Sequence, residues 1–290
     1  MSIKFIDQYF NDHRAKNAFE VYAMKIFGLD FSLWKERGLW DNDYIAFSAF
    51  DGGECIASIC VYPSEITFKG KVEKWAQLLT VGTLPEYRLK GLQRELWDRA
   101  YSWIRKNCRK TFLLTDDSAA GFYEKLGFTR KQERYDVIKL KTSFGSGLSG
   151  FRRLNLNHDA DFEILKRLAI SREPVSDILG VKNPKLMLFI FLYVFQDWCY
   201  YSKQLDTVVV IEELNDRLRI HDIAAEKMPV FLDIENFAGQ FGKEEIDILF
   251  CTDKLQLKKT IRKEIADSIL FMVDDSGMDF DFMFPSSIRT

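Results

Sequence analysis

The chain is poor in the residues that build metal and disulfide centres. It has only three histidines, His13, His158 and His221, and five cysteines, Cys55, Cys60, Cys108, Cys199 and Cys251. No Cys-x-x-Cys pair occurs, and no histidine stands at ligand spacing from a partner. That argues against a zinc site and against a disulfide framework, so no metal is expected. An excess of one charge is also missing. The 41 Lys and Arg nearly balance the 43 Asp and Glu, leaving −2 with both signs dispersed. Nothing in that balance points to nucleic acid or an anionic membrane as a partner. Long apolar runs are absent too. The longest, Leu186 to Phe195, has ten residues, against about 20 for a membrane-spanning helix, and reads as a buried helix. The opening Met1-Ser2-Ile3-Lys4-Phe5 lacks the apolar stretch of a signal peptide. A cytoplasmic protein with no membrane association is expected.

Core material is plentiful. The 290 residues are 47% hydrophobic and include 25 Phe, enough for one large or two modest domains. Ser143-Phe144-Gly145-Ser146-Gly147-Leu148-Ser149-Gly150 is the clearest linker by composition. It predicts a first domain over 1–142, a Gly/Ser linker over 143–150 and a second, smaller α/β domain over 151–290.

In the first half, helices are expected at 17–27 and 31–39, and strands at 44–50 and 55–62 across the Asp51-Gly52-Gly53 turn. Residues 75–83 are apolar and β-prone, and Pro85 ends that strand. Leu92, Leu96, Ala100 and Ile104 then fall at helical spacing. Gly91 therefore opens a helix, where unpaired N–H groups and the positive end of the dipole favour phosphate. Arg88, Lys90 and Arg94 add formal charge around it. A short strand follows at 111–115. Asp116-Asp117-Ser118 offers capping oxygens to a helix that carries Tyr123 and stops at Gly127. Residues 136–141 are expected as a last strand.

Two phrases in this half, Arg88-Leu89-Lys90-Gly91-Leu92-Gln93 and the later Asp116, Ala119, Phe122, Tyr123, Gly127 and Phe128, resemble the two motifs of the GNAT superfamily of acyl-CoA-dependent N-acyltransferases. Each motif is common by itself. Their order, their distance and the strand between them make the pair specific. The likeness extends more loosely over residues 1–140. It implies an α/β fold with a mixed central sheet flanked by helices. It further implies acetyl-CoA as co-substrate, a small-molecule or peptide amine as acceptor, and transfer by direct attack. The backbone of Val81, Gly82 and Thr83 would hold the pantetheine arm. The loop Arg88, Leu89, Lys90, Gly91, Leu92, Gln93 and Arg94 would hold the pyrophosphate. Asp116 would lie near the cofactor, and Tyr123 would protonate the leaving thiolate, a phenol of pKa about 10 being suited to that task. The backbone N–H near Val81 would polarise the acetyl carbonyl.

The sequence departs from the family pattern at three places. Gln93 stands where Gly or Ala is usual, and its side chain is expected to face solvent. Asp116 replaces Asn. Gln77 occupies the position where several members carry a general-base glutamate, and glutamine cannot take a proton. Glu73 acting through water is one substitute, and an acceptor of low pKa needing no base is another. Glu86 and Glu133 are candidates for amine recognition, with solvated surface charge as the plainer role. These departures leave a second reading open, a non-catalytic acyl-CoA-binding or regulatory module.

In the second half helices are expected at 159–170, 184–203 and 231–241, and strands at 207–211, 218–224, 246–251, 269–273 and 280–284. The order echoes the first half, but Ala225-Glu226-Lys227-Met228-Pro229 replaces the basic glycine loop. The region is either a degenerate second GNAT-like unit or an unrelated α/β cap. Its expected job is to wall the acceptor cleft or to mediate a homodimer.

Overall fold

The computed structural model describes residues 2–140, 150–257, 259–266, 269–274 and 281–289. In chain order the elements begin β1 Lys4–Asp7, α1 His13–Phe27, α2 Ser32–Glu36, β2 Ile45–Asp51, β3 Glu54–Phe68, β4 Lys71–Thr83, α3 Leu92–Asn107, β5 Thr111–Thr115, α4 Asp117–Lys125, β6 Thr129–Lys131 and β7 Arg134–Lys139. They continue β8 Phe151–Arg153, α5 Asp159–Ser171, β9 Leu179–Lys182, α6 Pro184–Tyr193, β10 Cys199–Ser202, β11 Thr207–Glu213, β12 Leu218–Ala225, α7 Phe231–Ala238, β13 Glu245–Ile248, β14 Ile261–Glu264 and β15 Ile269–Val273. The α/β class is as expected, with two sheets.

The first compact unit comprises residues 1–64, 74–131 and 269–278. Its sheet runs β1-β2-β3-β4-β5-β15-β6. β4 and β5 are parallel, and β15 lies antiparallel between β5 and β6. α1 starts at His13, earlier than its apolar spacing suggests, because the Asp12 carboxylate caps the amides of Arg14 and Ala15. It buries Ala15, Phe19, Tyr22 and Ala23. α2 has five residues, too few to hold as an isolated helix. Trp34 anchors it at 0% exposure, a burial that contributes about 1.5–3 kcal/mol. Around Trp34, the rings of Phe31, Trp40 and Tyr44 lie 6.0 to 6.3 Å away.

The second unit comprises residues 65–73, 132–268 and 279–290. Its seven-stranded sheet runs β14-β7-β13-β12-β11-β10-β8. β12 and β13 are parallel. The end of β3, Glu65–Phe68, pairs with β9 in this unit. Leu218, Ile220, Ile234, Phe237, Ile246 and Ile248 belong to its core.

The units are not contiguous in sequence. The strand expected at 136–141 forms as β7 but pairs with β13 and β14. β15 pairs with strands of the first half. Of the linker expected at 143–150, only Gly150 lies within the described residues. The helix expected at 184–203 ends at Tyr193, and Cys199–Ser202 turns into a strand that pairs with β11 and β8. The strand expected at 280–284 does not form over residues 281–284, Phe280 lying outside the described residues. There the amides of Met283 and Phe284 bond the Cys251 thiol and the Glu133 carboxylate instead of a neighbouring strand.

Candidate active site

β4 positions the site through the way its pairing ends. Its parallel ladder with β5 covers only Ala76↔Thr111 and Gln77↔Phe112. β5 continues to Thr115 paired with β15. Beyond Gln77, β4 therefore runs on without pairing to β5. On its other side β4 stays with β3, where the Leu84 amide donates to the Ile56 carbonyl at 2.9 Å.

Two residues shape the free stretch. Thr80 sits at φ 44°, a left-handed conformation that is costly for a β-branched residue, about 1–3 kcal/mol. Its hydroxyl meets the Tyr44 hydroxyl at 3.1 Å, which helps hold the bend. Gly82 is required by close approach. A Cβ there would stand 2.8 Å from both the Tyr22 hydroxyl and the Phe27 ring. Only glycine lets α1 lie this near β4.

After β4 the chain makes a single 3₁₀ turn, Pro85–Tyr87. Arg88 folds back and its Nε donates to the Thr83 carbonyl at 3.2 Å. Leu89 is fully exposed at φ 61°. Gly91 follows at φ 78° as the N-cap of α3, with no side chain capping it. The amides of Arg94 and Glu95 both reach the Gly91 carbonyl. The amides of Leu92 and Gln93 have no acceptor among the described residues and sit at the positive end of a 16-residue helix, a favourable place for an anion. Lys90 lies over the Tyr87 ring at 4.6 Å, and Arg94 donates to the Lys125 carbonyl at 3.4 Å.

Gln93 does not face solvent. Its amide nitrogen donates to the Gly82 carbonyl, to the Thr83 hydroxyl at 3.0 Å and to the Ser58 carbonyl at 3.3 Å. The reason is local. The first turn of α3 lies beside strand carbonyls, and a side-chain amide supplies the donor they need. In consequence the carbonyls of Gly82 and Thr83 are engaged by Gln93 and Arg88, unlike that of Val81 just before them.

Asp116 caps α4, accepting from the Ser118 amide at 2.8 Å and from the Ser118 hydroxyl. Those bonds hold its carboxyl below the usual range. Tyr123 is buried at 6% exposure, with Phe122, Phe128 and Phe271 around it at 5.1 to 5.9 Å. Burial, and then the Asp116 charge, push its phenol pKa well above 10, so the phenol is neutral. Gln77 is buried at 1% exposure at the last paired position of β4. Glu86 is exposed, 3.9 Å from Lys25. Glu133 falls in the second unit and is not a solvated charge: at 0% exposure it accepts from Arg289 at 2.7 Å and from the Phe284 amide at 2.9 Å. Glu73 also falls in the second unit.

One stretch of chain thus brings Val81, Gly82, Thr83 and Arg88 through Arg94 together, and α4 carries Asp116 and Tyr123. The contact of Thr80 with Tyr44 was not legible, since no spacing rule announces a threonine in a left-handed bend. Among the described residues no group of three or more His, Cys, Asp and Glu could hold a metal ion, and no helix is long and apolar enough to cross a membrane.

Residues 9–130 match the family described as "Acetyltransferase (GNAT) domain". No curated protein sequence matches the chain. Among solved structures, a probable N-acyltransferase from Enterococcus faecalis aligns over 93% of this chain and 72% of its own, with TM-score 0.61 and 13% identity. A GCN5-related N-acetyltransferase from Kribbella flavida aligns over 95% and 73%, with TM-score 0.55 and 14% identity. One from Anabaena variabilis aligns over 93% and 72%, with TM-score 0.53 and 14% identity. At such identities these likenesses speak for the fold alone. The chain is thus similar to GNAT acetyltransferases over residues 9–130 by its family match, and to these solved structures by its fold.

Proposed function

We propose that the protein is an N-acyltransferase that moves an acetyl group from acetyl-CoA to the amine of a small molecule or peptide. The observation that carries this reading is the parting of β4 from β5 beyond Gln77, ending at the uncapped N-terminus of α3. A slot beside a strand suits an extended amide-bearing arm, and the helix end suits a pyrophosphate. The amides of Leu92 and Gln93, with Arg88, Lys90 and Arg94 around them, take the phosphates. Val81, the residue of the three whose carbonyl is not engaged by Gln93 or Arg88, is the main backbone contact for pantetheine.

In the reaction the acceptor nitrogen attacks the thioester carbonyl carbon and the C–S bond breaks. The Tyr123 phenol gives its proton to the departing thiolate and is reprotonated from solvent. The proton on the new ammonium centre passes to water. Burial that keeps the phenol neutral keeps it a donor. The protein supplies no base at Gln77, so the acceptor reacts as its free amine. Because Gln77 is a buried amide where a base would stand, a non-catalytic acyl-CoA-binding module is the second reading. Thiol release separates the two.

The second unit supports a degenerate GNAT-like reading. Its β11–β12 antiparallel pair, α7 and the β12–β13 parallel pair repeat the order of β3, β4, α3 and β5. Ala225 to Pro229 offers no glycine helix opening, so this unit would not hold coenzyme A.

The test is calorimetric titration with acetyl-CoA of the wild type and of an Arg88→Glu, Lys90→Glu variant. Saturable binding that the variant loses supports the reading. A wild type that does not bind removes it.

A further inference from the structure

A pocket of about 250 Å³ opens in the first unit, where the end of β1, the start of α1 and the entry to β2 meet. It is small beside common ligand clefts of roughly 300–1,000 Å³. Phe10, Trp40 and Tyr44 give it flat apolar walls, and Asn11, Asn42 and Lys16 give it polar groups. The Lys16 ammonium lies 3.9 Å from the Phe10 ring centre and 4.4 Å from that of Trp40.

Lys16 lacks an anion. Among the described residues no carboxylate stands within ion-pair distance of it, and the neighbouring Glu20 is taken by Lys35 at 2.5 Å. Burial and then the Lys35 charge press its pKa down, with Glu20 opposing. Two ring faces partly compensate the ammonium, but its three N–H donors have no acceptor among the described residues. The pocket therefore asks for a ligand with an anionic end and a flat body.

Tyr44 ties the pocket to the reaction site. Its ring is a pocket wall, and its hydroxyl meets the hydroxyl of Thr80, the bent residue of β4 next to Val81. A ligand whose carboxylate sits on Lys16 would lay its body on Phe10 and Trp40 and point its other end toward Tyr44.

We infer that this pocket holds the acceptor, an amine separated from a carboxylate by a flat apolar body, with the carboxylate on Lys16. The inference rests on the acetyl transfer proposed above. The amine nitrogen forms the new amide bond as the C–S bond of acetyl-CoA breaks, and the carboxylate takes no part in the chemistry.

The first arm of the test needs no catalysis. The full chain is titrated with 4-methylbenzoate and with the neutral 4-methylbenzamide. The acid binds about tenfold tighter, as a charge-assisted hydrogen bond allows. Lys16→Gln removes that difference and Lys16→Arg keeps most of it. Equal binding of acid and amide, or a difference that survives Lys16→Gln, overturns the proposal. The second arm compares 4-(aminomethyl)benzoate with benzylamine as acceptors, by thiol release. A preference of about tenfold in kcat/KM is expected, lost through KM in Lys16→Gln and regained in Lys16→Arg. If 4-methylbenzoate binds through Lys16 but the two amines react alike, the pocket is not the acceptor site and the inference fails. If acetyl-CoA does not bind, the acyltransferase reading fails by itself, and the first arm still decides whether the pocket takes a carboxylate.

Discussion

Replacing Gln93 with alanine should destabilise the first unit. The side-chain amide donates to the Gly82 carbonyl, the Thr83 hydroxyl and the Ser58 carbonyl, so one group ties the first turn of α3 to both β3 and β4. An amide has two N–H groups to share among these acceptors. Each hydrogen bond contributes about 0.5–1.5 kcal/mol net, which makes the loss roughly 1–3 kcal/mol. Gln93 is only half-buried, and water entering the gap brings the figure toward the lower end. For domains of about 150–250 residues each kcal/mol moves Tm by about 2–4 °C, so a fall of about 2–12 °C is expected by circular dichroism. Gln93→Glu is the sharper test, because it keeps the shape, removes the donors and sets a carboxylate against three oxygens. It should lose more stability than Gln93→Ala. An alanine variant with unchanged Tm, or a glutamate variant more stable than the alanine one, would refute the inward-facing amide.

Three further outcomes are expected. Tyr123→Phe should bind acetyl-CoA as the wild type does while kcat drops roughly 100-fold or more, the usual scale for a positioned acid; turnover that persists would end the acid role. In the second unit Arg172 is buried and holds the fully buried Asp222 through two bonds of 2.8 and 2.9 Å. Arg172→Met strands that carboxylate and should cost about 3–5 kcal/mol in urea unfolding, so a loss under 1 kcal/mol would contradict the geometry. Asp161 accepts from Arg152 at 2.6 and 3.1 Å, which depresses its pKa. Stability from this pair is therefore present above the unfolded carboxylate pKa of about 3.9 and is lost as pH falls through the lower folded value. Asp161→Asn should flatten the acid limb of the stability profile, and an identical limb would show that the pair contributes nothing.

The motifs of the site were legible because they are local. Gly91 opens α3 and Asp116 caps α4, as the residue types alone require. The orientation of Gln93 was not legible. Helical spacing puts it beside the buried Leu92, with no sign that unsatisfied strand carbonyls lie within its reach. Glu133 misled for the same reason: polar neighbours on either side mark a surface, whereas its partner Arg289 stands 156 positions away.

The fold divides along the same line. Strands whose partners are near in sequence, such as β2 and β3 across the Asp51-Gly52-Gly53 turn, could be placed from alternation and turn residues. Composition could not show that β7, which precedes the Gly/Ser stretch, pairs with β13 and β14, or that β15, far beyond it, pairs with β5 and β6. A strand's pattern states which face is apolar but not which edge it joins. Ile269 to Val273 is apolar throughout and fits any buried position. What selects its place is the edge that β5 presents when it parts from β4. Five consecutive β5 residues, Thr111 to Thr115, pair with β15, and only the first two also pair with β4. Without β15, β5 would keep two ladder positions on one side and none on the other, too few to satisfy its backbone. The strand that completes the first sheet is therefore also what allows β4 and β5 to separate, and so the parting on which the proposed function rests depends on a segment that starts 146 residues beyond Tyr123.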